Sequence, residues 1–382
     1  MQFTTSKLND FTAEVLKIRD YATHSLSKKD YHHLKKIIWV NRLLLFIGFG
    51  TAWLTPNPVS MFAIGIALSG MWTIVTHHVL HGGYDQLQKI PKRYHSNSFA
   101  RGLRRMIDWP DWIYPPAWKY EHNRLHHFFV NEIIDPDQMS YRLAAKTSAL
   151  SNNKPNYLKL IQIIIKISFW KCSYYAFNTM KAYTEKKTYQ QDGDFSKYRR
   201  ETYRHCIIPY ISTHFVVLPL LFLPLGWHAF LFVLINRFGA ELITNWHTFF
   251  IIVTNHTGAD LALQQTHFRN KGEFYIAQVT SSCNFNTGGF CRDYLHGYLN
   301  YQIEHHFFPN LPASQYAKIQ PLVKSLCGKY KLPYVQEPLL TRAKKLFSIM
   351  LQKEVMPFSS FELITGNKEP IATKSTTPME NA

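Results

Sequence analysis

The chain has 382 residues and a formal charge of +18, from 43 Lys and Arg against 25 Asp and Glu. Its basic residues gather beside apolar stretches rather than on a nucleic-acid module, so they suit an anionic membrane face and exclude nucleic acid as the partner. The five cysteines, Cys172, Cys206, Cys283, Cys291 and Cys327, include no Cys-x-x-Cys pair, which argues against both disulfides and a zinc ribbon.

Residues 1–36 are polar and charged and read as a polar arm, helical or interfacial, rather than a cleavable leader. The first apolar stretch then acts as its own insertion signal. From Ile37 to Thr76 the only charged side chain is Arg42, and the turn Thr55-Pro56-Asn57-Pro58 divides the stretch into spans near 37–54 and 59–80. Residues 77–205 are too long for a simple loop and must fold over the membrane surface. Within them DWPDWIYPPAW, Asp108 to Trp118, reads as an interfacial anchor, with a substrate-channel wall as the alternative. Leu158 to Met180 is apolar but broken by Lys166 and Lys171, which predicts an in-plane amphipathic helix rather than a further span. A second long apolar stretch, Cys206 to Thr254, carries only Arg237 and Glu241 and divides near Pro224-Leu225-Gly226-Trp227 into spans near 207–224 and 227–254. Arg237 and Glu241 stand i,i+4, and a mutual ion pair that permits insertion is the favoured reading. Residues 255–366 return to the polar side, and 367–382 form a polar tail expected to be disordered.

These segments predict an all-α integral membrane protein with four transmembrane helices in two hairpins. A helical cytoplasmic cap, from 77–205 and 255–366, completes one domain over 37–366. Neither hairpin turn is charged, whereas Lys28, Lys29, Lys35 and Lys36 precede the first hairpin and Lys89, Lys92, Arg93, Arg101, Arg104 and Arg105 follow it. The positive-inside rule places those flanks, and both termini, in the cytoplasm.

Three histidine clusters then fall on one side of the membrane: THHVLHGGYD from Thr76, EHNRLHHFFVN from Glu121 and NYQIEHHFFPNLP from Asn300. Neutral imidazole is the commonest metal ligand among side chains and suits iron, zinc or copper. Eight clustered imidazoles exceed what one tetrahedral zinc needs, so the inventory points to two metals sharing a site, with redox iron leading. His77 and His81 are spaced i,i+4, which puts both rings on one helix face. His122 and His126 repeat the spacing, while His127 points about 100° further round and could serve a second metal. In the third cluster Gln302 stands where a further imidazole could have stood before His305 and His306. Glutamine binds metal weakly, so Gln302 reads as an outer or water-mediated contact.

The clusters, their spacings and their order around two apolar hairpins resemble the membrane fatty acid desaturases, from about Trp72 to Pro312. Gln302-Ile303-Glu304-His305-His306 is similar to the Gln-x-x-His-His form of the front-end branch, and so is QVTSSCNF, Gln278 to Phe285. The resemblance implies two iron ions held by His77, His81, His122, His126, His127, His305 and His306, with dioxygen as co-substrate. It also implies a histidine at the end of the fourth span, for which His256 in VTNHTGAD is the matching position and is preferred to His247. Some relatives add an asparagine one turn earlier, where this chain has Ile252. His78 stands where the family often has aspartate, and with Asp135, Asp137 and Gln302 it is assigned as an outer partner of the ligands. For the two aspartates a plain surface turn is the alternative.

By the same resemblance the chain introduces a cis double bond into a fatty acyl lipid, acyl-CoA or acyl-carrier substrate. The sequence has no segment for the fused cytochrome b5 domain found in many front-end desaturases, so electrons come from a separate ferredoxin or cytochrome b5 type donor. A bacterial inner membrane is expected over the endoplasmic reticulum. The nearest rival is a lipid or alkane hydroxylase using the same site; a zinc-dependent membrane hydrolase, a metal carrier or a non-catalytic scaffold stand further off.

Overall fold

Caps and apolar stripes set the helices of the computed structural model, which describes residues 3–138, 156–185 and 195–359. The expected disordered tail, 367–382, lies outside the described residues. Helix α1, Thr5–His24, buries Leu8, Phe11, Val15, Ile18 and Ala22. A fully buried Leu, Val, Ile or Phe contributes about 1.5–3 kcal/mol, enough to dock a helix of otherwise polar composition. A Cβ on Gly272 would meet Leu8 and Thr12 at 2.6–2.7 Å, so the glycine lets α1 sit directly on the start of the later helix Lys271–Thr280.

Helix α2, Lys28–Ala52, opens on a capping box in which Asp30 accepts from Ser27 N at 2.8 Å. Asp30 also accepts from Ser314 Oγ and Gln315 Nε2 at 2.6 and 2.7 Å. The polar arm expected over 1–36 is thus two pieces, a docked helix and the first turns of α2, because Ser27 and Asp30 start the second helix nine residues ahead of the apolar stretch. Asn57 caps α3, Pro58–Leu80, accepting from Ser60 N at 2.8 Å with Pro58 in the first turn. Helix α4 runs from Pro115–Glu121 into a π turn, His122–His126. Helices α5, Asn156–Ser168, and α6, Ala176–Glu185, meet through another π turn, Lys171–Tyr175. Helix α7, Tyr198–Leu225, turns into α8, Trp227–Val253, at Gly226, whose φ of 110° is open to glycine.

Of these, α3 and α7 are long and apolar enough to cross a membrane. Helices α2 and α8 have 25 and 27 residues and pack against α3, but lysines and Asp30 in one, and Asn236, Arg237, Glu241 and Asn245 in the other, dilute their apolar character. Leu43, Phe46 and Phe62 of α2 and α3, and Val217, Leu221 and Leu225 of α7, stand exposed as an apolar surface that water would not tolerate and lipid would. The 158–180 segment keeps its amphipathic character, burying Ile163 and Ile167 while exposing Ile161, Ile164 and Ile165.

Arg237 and Glu241 do pair, at 2.9 Å, and Glu241 further accepts from Trp112 Nε1 at 2.8 Å and Asn245 Nδ2 at 2.9 Å. Beside them Lys171 meets Asp111 at 2.6 Å, entirely buried. The network draws the 108–118 segment inward: Trp109, Trp112 and Trp118 are all buried, not laid along an interface. The anchor reading gives way because Trp112 finds the Glu241 carboxylate and Trp118 the His122 ring, with Trp109 packed on Trp118.

Behind α8 the chain forms α9, Lys271–Thr280, α10, Gln302–Phe307, α11, Ala313–Tyr330, and α12, Leu339–Met350. Two parallel two-residue pairings, Leu263–Gln264 with Phe358–Ser359 and Asn284–Phe285 with Gln336–Glu337, tie the loops between them. One apolar core runs from α1 through α9 and α11 to the C-terminal ends of α3 and α8. That is where the histidines lie.

Candidate metal centre

Four elements deliver the imidazoles: the end of α3 with His77 and His81, the π turn of α4, the loop after α8 with His256, and α10 with His305 and His306. The π turn divides its three rings. His127 N donates to His122 O at 3.1 Å, one residue beyond α-helical spacing, which widens the turn and lets His122 face both of its neighbours. Ring centroids of His122 lie 5.0 Å from His126 and 4.9 Å from His127.

Two ligand groups result. In the first, nitrogens of His77, His81, His122, His127 and His305 all lie within 4.8 Å of one another; in the second, those of His126, His256 and His306 do. His77 Nε2 sits 3.0 Å from His305 Nε2 and 3.2 Å from His122 Nε2, so three nitrogens converge at the heart of the first. The stacked rings of His127 and His306, 4.3 Å apart at 21°, form the wall between the groups. Asp137 joins His122 and His126 in a third, mixed cluster.

Outer hydrogen bonds orient the rings. His126 Nδ1 donates to Asp135 at 3.0 Å, and Asp135 is itself fixed by the N–H groups of Asn131 and Asp137 at 2.8 and 2.9 Å. His122 Nδ1 lies 3.3 Å from Asp137 Oδ2, His305 Nδ1 3.1 Å from the Tyr316 hydroxyl, and His256 Nδ1 donates to Ser281 O at 3.1 Å. His306 Nδ1 donates to Gln278 Oε1 at 2.7 Å. Such partners fix the tautomer, leaving Nε2 as the free lone pair. Burial, then the neighbouring rings, hold His81, His122, His127, His305 and His306 well below the ordinary imidazole range, so they are neutral. Burial and His126 push His256 down to about 3. His126 moves the other way: burial opposes its proton, but Asp135 and Asp137 raise it above the ordinary value.

A pair of metal ions fits these residues. His81 Nε2, both nitrogens of His127 and His306 Nε2 are buried with no hydrogen-bond partner among the described residues, an arrangement costing about 1–3 kcal/mol per atom unless something accepts the lone pair. All-imidazole sets of this size suit redox-active or borderline metals rather than calcium or magnesium.

The remaining expected residues fall into different places. His78 joins neither group; its Nδ1 bonds Ile74 O at 2.8 Å and its ring lies 5.7 Å from His305. Gln302 touches the second group: its amide nitrogen meets His256 Nε2 at 2.9 Å, and its Oε1 accepts from Asn255 Nδ2 at 3.1 Å. His247 lies elsewhere, between Ser69 Oγ at 2.6 Å and Leu295 O at 2.7 Å. Gln278, Tyr316, Ser281 and Asn255 were not assigned roles from the sequence. QVTSSCNF held the signal for two of them, whereas nothing local marks Tyr316.

Two openings reach the rings. A narrow cavity is walled by Trp72, Trp118, Trp170, Tyr175, Ile252 and Leu299 and ends on His77, His122, His126 and His256. Trp118 stacks on His122 at 4.4 Å. On the other side a wider hollow lined by Phe128, Phe268, Phe274 and Phe307 exposes His81 and His127, with Arg19 and Lys271 among its lining.

Sequence comparison agrees with this architecture: the family model described as "Fatty acid desaturase" matches residues 51–338. The chain belongs to the fatty acid desaturase family. It is 24% identical to the NADPH-dependent stearoyl-CoA 9-desaturase of Mycobacterium tuberculosis over 355 residues, 90% of this chain and 79% of that protein. Local similarity is higher to the mouse fatty acid desaturase 2-like protein FADS2B, 49% over 63 residues, which covers 16% of this chain and 13% of that protein. Bovine fatty acid desaturase 3 is 45% identical over 65 residues, 17% and 14% of the two chains. The match thus spans about an eighth of these last two relatives.

Proposed function

We propose that this chain is a dioxygen-dependent fatty acyl desaturase that introduces a cis double bond at a histidine-held di-iron centre. The observation that carries the reading is the meeting of two imidazole groups with a largely apolar cavity that ends on four of their rings. His77, His81, His122, His127 and His305 would hold one iron and His126, His256 and His306 the other, with Asp135, Asp137 and Gln278 orienting them. Bound there, the irons supply dioxygen activation, which an unactivated carbon–hydrogen bond requires and no side chain can provide. Overall, –CH₂–CH₂– with dioxygen, two electrons and two protons gives –CH=CH– and two waters.

The residues supply position and dryness. Trp72, Trp118 and Trp170 confine a hydrocarbon chain against the rings, and the bond formed is set by how far that chain can enter. Ile252 keeps this wall apolar. The hollow at His81 and His127 suits a separate donor of ferredoxin or cytochrome b5 type, since Arg19 and Lys271 favour an acidic carrier. Gln302 and the 278–285 segment support the front-end reading, in which the new bond lies between an existing one and the carboxyl end. The apolar outer surfaces support a membrane setting, and the basic flanks of the first hairpin support placing the centre and both termini in the cytoplasm; four spans in a bacterial inner membrane belong to the same proposal.

The test is the fatty acid profile of a host expressing the chain with a compatible donor, by gas chromatography and mass spectrometry, beside a His305→Ala, His306→Ala variant. A new unsaturated acid absent from the variant is expected, with about two irons per chain by metal analysis. Hydroxylated lipid would replace desaturation by hydroxylation, and zinc without dioxygen uptake would overturn the reading.

A further inference from the structure

A second groove lies between α2, α3 and the 93–111 segment, outside the histidine groups. Ile38 and Leu45 of α2 and Leu68, Met71 and Val75 of α3 form its apolar walls, and Trp109 closes it. Trp109 and Trp118, with ring centroids 6.5 Å apart, stand between it and the nearest imidazole.

Its polar groups are few and specific. Asn41 lines the groove and is fully buried; its Oδ1 accepts from the Tyr294 hydroxyl at 2.5 Å, while its Nδ2 has no partner among the described residues. A buried N–H facing hydrocarbon is unfavourable until an acceptor meets it. Arg42 and Arg93 are exposed beside it, one over Trp39 and the other over Tyr94. The two carboxylates at the groove already have partners: Asp108 pairs with Arg104 at 2.8 Å and Asp111 with Lys171 at 2.6 Å. Among the described residues the groove therefore keeps two uncompensated positive charges. On the adjoining turn Leu103 and Ile107 are 92% and 74% exposed, an apolar face beside a cationic one, as at the headgroup level of a membrane.

An occupant needs an anionic head for the arginines, an uncharged acceptor a few bonds further in for the amide, and hydrocarbon beyond. A fatty acid lacks the second feature, and a zwitterionic lipid brings a cation of its own to the arginines. We propose that this groove holds one anionic glycerophospholipid, with its phosphate at Arg42 and Arg93, an ester carbonyl on Asn41 Nδ2 and an acyl chain along Leu45 and Leu68. The site is independent of the proposed desaturation and stands or falls without it.

Native mass spectrometry of the full chain in mild detergent, loaded from phosphatidylglycerol or phosphatidylcholine micelles, tests it. The wild type is expected to retain phosphatidylglycerol at least about tenfold better, the factor that one charge-assisted contact supplies. Arg42→Gln with Arg93→Gln, both exposed side chains, should abolish that preference. Asn41→Leu, which keeps the number and branching of side-chain heavy atoms, should lower retention of phosphatidylglycerol several-fold with the same elution volume on gel filtration. Equal retention of the two lipids by the wild type, or a preference unchanged in the double variant, would overturn the proposal.

Discussion

Gln278 bridges the two ligand groups: its Oε1 takes a hydrogen bond from His306 Nδ1 at 2.7 Å and its Nε2 donates to His127 O at 3.1 Å. One side chain therefore fixes a ring of the second group and the backbone beneath a ring of the first. Gln278→Leu keeps the volume and removes both bonds. Iron content and turnover are expected to fall about 10–100-fold, the usual cost of losing an outer partner of a ligand. Metal analysis of the purified variant beside its circular dichroism separates this from unfolding, and full iron loading with unchanged turnover would refute it.

Asp135 carries the corresponding role for His126, accepting from its Nδ1 while held by two backbone N–H groups. Asp135→Asn preserves shape and loses the negative charge that makes His126 a stronger donor of its lone pair. Iron affinity is expected to drop by about tenfold or more, and Asp135→Ala by more still, because it also frees the ring. Competition with a chelator of known affinity measures both, and wild-type affinity in the two variants would show that charge and orientation are irrelevant.

The buried ion pair of α8 makes a stability prediction. Glu241→Leu would leave Arg237 buried and unpaired, with a loss of about 3–5 kcal/mol expected. Arg237→Leu combined with Glu241→Leu should be milder, since no uncompensated charge remains. Thermal unfolding in detergent compares them, and a double variant worse than Glu241→Leu would mean that the pair holds α7 and the 108–118 segment by more than its charge.

For electron delivery, Arg19 and Lys271 predict a salt-dependent encounter with an acidic donor. Turnover with limiting donor should fall between about 0.1 and 1 M salt, as the screening length shrinks from about 10 to 3 Å. Lys271→Glu should raise the donor KM several-fold and leave kcat in place. A rate flat in salt, or a KM unmoved by Lys271→Glu, would place the donor on another face.

How much of this was legible in the sequence depends on range. His77 and His81, and the turns at Asn57–Pro58 and Gly226, follow from local spacing and local chemistry, so periodicity finds them. The division of His122, His126 and His127 does not, because a π turn leaves no apolar period to read. Nor do the outer partners: Gln278 and Tyr316 reach the site only when α9 and α11 pack on α10, a tertiary fact. Trp109, Trp112 and Trp118 misled for a related reason, since an indole suits an interface and a buried hydrogen-bonding network equally well until its partner is known. Helix α1 looked peripheral because its apolar stripe is narrow, although five residues of it are buried.

The π turn at His122 also limits how this segment can be rebuilt. Removing any one residue between His122 and His127 would let the backbone return to regular helical bonding and gain local stability. The same deletion would swing one ring away from its group. Selecting the turn for thermal robustness alone would therefore select against the arrangement of its rings, a conflict between durability and use confined to a single turn.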